Sequence, residues 1–253
     1  MKYTIDKASF LKRIAAALLD FILLCIIMVG FAALTSWITG YDKYADQLNE
    51  RTEYYQEKYN IKIDITAEEY NNLSEEEKLR YNQADEEFSK DEIANKAYQM
   101  ILSLSLVIIS IGVLIAYVVV EVVFPLIFKN GQTVGKKIFG IAVMHSNGVR
   151  IKAEGLFIRT ILGKYTIETM IPVLVILMAF FNILNLGFAV LLIGLAILEL
   201  ALVLLTQYHT PIHDVFAKTI TVDFTTQKIF NTEQELIEYK EQLAKEAAEK
   251  KAY

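Results

Sequence analysis

The sequence is poor in the residues that staple, kink or anchor a chain: one cysteine, three prolines, one tryptophan and three histidines in 253 residues. A lone Cys25 excludes an internal disulfide. No internal repeat and no low-complexity linker is present, so neither a repeat array nor a flexible spacer organises the chain. No zinc or nucleotide motif occurs, and no nucleophile stands in a recognisable pairing with a base, so an enzyme is the least expected class. Charge is also sparse at 22%, and the net value of −5 says little because the charges are partitioned by segment. The surplus is apolar. Hydrophobic residues make up 54% of the chain and mean hydropathy is +0.35, against about 45–50% apolar in soluble domains.

That surplus sits in three blocks, roughly 14–38, 101–128 and 166–207. A bilayer core about 30 Å thick takes about 20 helical residues to cross. The first two blocks each suffice for one crossing. The third would be about 63 Å long as one straight helix, so it must break and cross twice. The first block is no cleaved signal peptide, since such cores run to about 7–15 residues and this one is longer and carries Asp20. The expected fold class is an all-α membrane protein: four transmembrane helices, a helical extracytoplasmic insert and a small cytoplasmic β-hairpin element. The segments are 1–13 N-terminus, 14–39 span, 40–99 insert, 100–128 span, 129–165 loop, 166–183 span, 186–207 span and 208–253 strand and helical tail.

Charge sets the expected orientation. Residues 1–13 balance at +3 and 129–165 at +6, whereas 40–99 carry sixteen acids against eight bases. Lys and Arg beside spans are retained in the cytoplasm, which places both termini and the 129–165 loop inside and the insert outside. Trp37, at the outer end of the first span, suits an interfacial belt. The insert reads as helices opened by capping boxes, Thr66–Glu69, Ser74–Glu77 and Ser89–Glu92, behind a run of tyrosines at 41, 44, 54, 55 and 59. Another box, Thr232–Glu235, opens a tail of mixed charge that suits an exposed helix.

The loop begins Gly131-Gln-Thr-Val-Gly135-Lys136-Lys137. A phosphate loop needs four residues between its glycines and a Ser or Thr after the lysine, so that reading fails. Alternating apolar residues then flank Asn147-Gly148, a hairpin signal, and 219–224 offers a third strand. The basic residues suit anionic lipid heads.

Three blocks in order carry a resemblance: Lys12-Arg13-Ile-Ala-Ala-Ala-Leu-Leu-Asp20; Gly131 to Val143 with Asn147-Gly148 and Leu156-Phe-Ile-Arg159 behind it; and Pro211-Ile-His-Asp214-Val-Phe-Ala-Lys-Thr-Ile-Thr-Val. Together they resemble the RDD family of prokaryotic membrane proteins, named for one arginine and two aspartates. The likeness leaves out the 40–99 insert and the tail after about Thr226, and the insert departs from the compact family pattern. It implies that Arg13, Asp20 and Asp214 are the family triad. It also implies a multi-pass bacterial plasma-membrane protein, some relatives of which are proposed to move cations in exchange for protons.

Four carboxylates fall inside the spans: Asp20, Glu121, Glu168 and Glu199. Each costs about 2.5–3.5 kcal/mol on insertion scales and therefore asks for a reason. Counted from the nearest flanking polar residue, all four lie about 6–15 Å inside the same boundary. Two roles fit them. Paired with Arg13, Arg159 and nearby donors, they would fix helix order. As a layer, they would form an ion or proton site with Asp20 the leading group and Arg13 and Arg159 as charge partners. Asp214 is expected to bind Arg13 or a base of the preceding loop. His209 and His213 are separated by Pro211, so no metal site is expected, nor any cofactor. The expected partners are the lipid bilayer, Na⁺ or H⁺, and a homo-oligomer or membrane-protein partner; no nucleic acid is expected. The other function class is a non-catalytic scaffold or regulator that docks a partner through the insert or the tail.

Overall fold

The computed structural model describes residues 3–180 and 186–249. In chain order the elements begin with α1 (Phe10–Thr39), α2 (Tyr41–Tyr59), α3 (Ala67–Asn71), α4 (Glu75–Ser89) and α5 (Glu92–Phe128). Then come α6 (Val134–Ile138), β1 (Ile141–His145), α7 (Ala153–Ala179) and α8 (Leu186–Leu205). The chain ends with α9 (Ile212–Ala217), β2 (Thr219–Asp223) and α10 (Glu233–Glu249). Helices α1, α5, α7 and α8 are long and apolar enough to cross a membrane. Their large side chains face outward, including Leu18, Phe21 and Ile26 on α1 and Leu198 and Leu200 on α8. A helix apolar on every side needs lipid around it. The expected end of the third span at 183 and the break before the fourth fall on residues 181–185, outside the described residues, as do 1–2 and 250–253 of the terminal segments.

One boundary is corrected. Residues 153–165, expected to belong to the loop, are the first turns of α7, which adds more than three turns to the third helix. The charges that suggested a loop, Arg159 and Lys164, have buried partners on α5 and so are tolerated in a helix. Both α5 and α7 contain stretches wound with wider π turns, Val119–Val123 and Ile158–Met170. Such turns re-aim side chains and concentrate at functional sites. Glu121 lies in the first; Arg159, Lys164 and Glu168 lie in the second.

The chain forms two compact units, 29–112 and 1–28 with 113–253. In the first, α2 packs on α4, with Tyr55 and Ala84 buried. The capping boxes at Thr66 and Ser74 form with both bonds. The one expected at Ser89 does not. Ser89 closes α4 by donating to the Glu86 carbonyl, and Asp91 caps α5, its carboxylate accepting from the Ala94 amide at 2.9 Å. Asp91 also accepts from Arg51 and, at 3.2 Å, from the Tyr55 hydroxyl. A cap that also meets a cation wins over a serine two residues earlier.

In the second unit, β1 and β2 pair antiparallel, Ile141 opposite Asp223 through His145 opposite Thr219. The strand expected third is thus the main partner of β1. The return limb after Asn147-Gly148 meets β1 in the bridge Met144 to Arg150 and Phe230 in the bridge from Val149, and at Lys152 the chain already turns into α7. Lys7 bridges Val222 on the far side. Met144, Ile220 and Val222 form one buried cluster of this element; Val149, Phe230 and Leu236 form another that seats the tail helix.

Candidate functional site

Arg159 is 2% exposed, on the second turn of α7. Its Nε donates to Asp214 Oδ1 at 2.7 Å and its Nη1 to Glu121 Oε2 at 3.0 Å. An isolated buried ion costs several kcal/mol, but a guanidinium donating along two directions satisfies two carboxylates at once. Glu121 also receives Lys164, one turn further along α7, and lies 3.5 Å from Lys136 Nζ. Asp214 accepts in addition from Thr219 Oγ1 at 2.7 Å. Burial alone would raise the Asp214 carboxyl; Arg159 and the other donors hold it well below the usual carboxylate range.

Asp20 is tied to the segment after α5 rather than to an arginine. Thr133 Oγ1 and the Gly135 amide both donate to it, the amide at 2.8 Å, and Lys136 Nζ stands 3.8 Å away. Thr133 is also the cap of α6, its hydroxyl accepting from the Lys136 amide. Gly135 is required here: a Cβ would overlap the Ala16 carbonyl and stand 2.9 Å from the Asp20 carboxyl. Lys136 is buried, and desolvation pushes its ammonium down to about 8 in spite of Glu121 and Asp20. A second close approach joins α7 to α9, where a Cβ on Gly163 would overlap the His213 side chain. Glu168 accepts there from the His213 amide at 2.7 Å and from its Nδ1 at 2.8 Å. Burial, with Arg159 nearby, keeps the His213 imidazolium disfavoured, so the neutral ring carries its proton on Nδ1, toward the carboxylate.

Glu199 and Arg13 differ from the rest. Glu199 accepts from the Ile212 amide at 2.9 Å, and among the described residues no cation lies within 4.0 Å of it. Arg13 donates to the Tyr208 and His209 carbonyls at 3.0 and 2.8 Å, where a carboxylate was expected. Asp214, for which Arg13 was one expected partner, takes Arg159. Both Glu199 and Arg13 thus hold the 208–212 turn and line one cavity of about 480 Å³ with Asp20, Glu121, Lys136 and Asp214. Glu168 is placed beside this cavity, on His213. Among the described residues no three metal-ligating side chains converge.

The sequence reading missed Lys136, Thr133 and His213 as parts of the cluster. Lys136 lay in a run whose spacing failed as a phosphate loop, and no periodicity marks a short helix folding back under a span. Its signal was the excess of carboxylates over cations inside the spans, which demanded a further base.

Among known proteins, the family model described as RDD family matches residues 7–218. No curated protein and no solved structure matches the chain.

Proposed function

Because the chain belongs to the RDD family and is a multi-pass membrane protein, we propose that it exchanges a cation for a proton across the membrane through the cavity between its spans. The observation that carries this is Glu199, a carboxylate in a span that faces the cavity without a cation of its own. An intramembrane acid of this kind either binds a proton or accepts an external cation. Asp20, Glu121 and Asp214 are already compensated by protein groups, which suits a fixed frame rather than an exchange site. Glu168 and His213 adjoin the cavity as a proton relay: the imidazole takes a proton from the cavity at Nε2 as it gives its Nδ1 proton to the Glu168 carboxylate, so the ring stays neutral. The charge partition favours an orientation with both termini and the β-element cytoplasmic, and the resemblance to the family implies the plasma membrane of a bacterium as the setting.

The test is proton flux in proteoliposomes on addition of Na⁺, K⁺ or Ca²⁺. Intact protein and Asp20→Asn are expected to give cation-stimulated flux per folded molecule, and Glu199→Gln to abolish it. Flux lost in Asp20→Asn but kept in Glu199→Gln would return the exchange role to Asp20. Absence of flux from intact protein would remove transport and favour the scaffold role, with the separately packed insert as its docking element.

A further inference from the structure

We propose that the cavity holds the head group of a zwitterionic aminophospholipid drawn from the surrounding bilayer, its ammonium on Glu199 and its phosphate on Arg13. The inference rests on reading the cavity as the exchange site and names a regulator of it: the lipid ammonium is the resident cation that a proton or a free cation must displace.

The first observation is a pair of charges left over. The other cavity charges are compensated within the protein, by Arg159, Lys136, Lys164, Thr133 and Thr219. Arg13 meets only two carbonyls and Glu199 only one amide. Both bind the same 208–212 turn, so one cation and one anion, each without an ion pair of its own among the described residues, flank a single short segment. A ligand bearing an anion and a cation a few bonds apart satisfies both, and a simple ion satisfies one. Guanidinium and phosphate match in bidentate geometry. A carboxylate prefers an ammonium that still has N–H donors, because quaternary ammonium groups are recognised through aromatic faces instead.

The second observation is the wall. Phe10, Ile14 and Phe21 of α1 line the cavity together with Ala17 and Leu24, so that 10, 14, 17, 21 and 24 follow the four- and three-residue spacing of one helix face. Phe10, Ile14 and Phe21 are 55%, 49% and 61% exposed, so the face that borders the charges also faces outward, where a membrane protein meets acyl chains. Across the cavity stands Val203 of α8. The volume of about 480 Å³ suits a head group and lies in the range of small-molecule sites. A charged floor under an outward apolar wall fits an amphiphile entering sideways.

The test uses the full chain, delipidated in detergent, with dioleoyl phosphatidylethanolamine, phosphatidylcholine or phosphatidylglycerol added and bound lipid measured by native mass spectrometry. Intact protein is expected to bind the ethanolamine lipid about tenfold more tightly than either of the others. Glu199→Gln is expected to remove that preference and Arg13→Gln to weaken all three lipids alike, both variants eluting as the intact protein does on gel filtration; a preference kept in Glu199→Gln overturns the proposal. Equal binding of all three lipids by intact protein, or preference for the glycerol lipid, overturns the proposal without any variant. Selective ethanolamine binding by a protein without cation-driven flux keeps the lipid site and removes the transport reading. Flux without selective binding removes the lipid site alone.

Discussion

Arg159 shows what one buried residue is asked to do. It stands between two buried carboxylates, Glu121 from a span and Asp214 from a short helix, and pairs with both, while Lys164 and Lys136 add the further positive charge at Glu121. Removing one member of such a set leaves the others as uncompensated buried charges, a loss of about 3–5 kcal/mol. Arg159→Met is therefore expected to lower the unfolding midpoint sharply in detergent, followed by circular dichroism. Arg159→Lys should recover part of the loss, since it restores charge but not the fork. A midpoint unmoved by Arg159→Met would show that the pairs contribute nothing to stability. Asp20 works differently: its partners are a hydroxyl and an amide from one loop, so it latches α1 to that loop by geometry as much as by charge.

Among the elements, short pieces do more than their length suggests. Helix α6 brings Lys136 under Glu121 and Asp20, and α9 brings His213 and Asp214 against α7. Glycines at 135 and 163 allow both approaches, since a side chain there would push the charged partners apart. In the insert the start of α5 depends on Asp91, which caps the helix and accepts from Arg51 and Tyr55. Loss of an N-cap costs about 1 kcal/mol. Asp91→Ala should reduce thermal stability of the purified protein accordingly, and Ser89→Ala should leave it nearly unchanged. The reverse ranking would restore the serine box read from the sequence.

For the whole molecule, the proposed orientation follows from a separation of charge along the chain: acidic in 40–99, basic in 1–13 and 129–165. Since Cys25 is the single cysteine, a Cys25→Ser background leaves room for reporters. In intact cells, Glu76→Cys in the insert is expected to react with a membrane-impermeant maleimide, and Glu246→Cys in the tail only after lysis. Labelling of the tail in intact cells would invert the orientation.

The four spans were legible in the chain itself, because a bilayer imposes one length and one composition on whatever crosses it. So were the carboxylates within them, conspicuous because each is expensive there. The pairing was not. Which cation answers Glu121 depends on a π turn in α5, another in α7 and a short helix under both, none of which leaves a period in the sequence. The hairpin signal at Asn147-Gly148 was local and correct as a turn. Its strand partner came instead from 219–223, because tertiary packing of Met144 on Ile220 and Val222 outweighs a short return limb already committed to α7. Sequence determined which ionisable groups the spans carry. Only the tertiary structure decided which of them compensate one another, because compensation requires contact between residues far apart in the chain, and it left Glu199 and Arg13 with backbone partners alone.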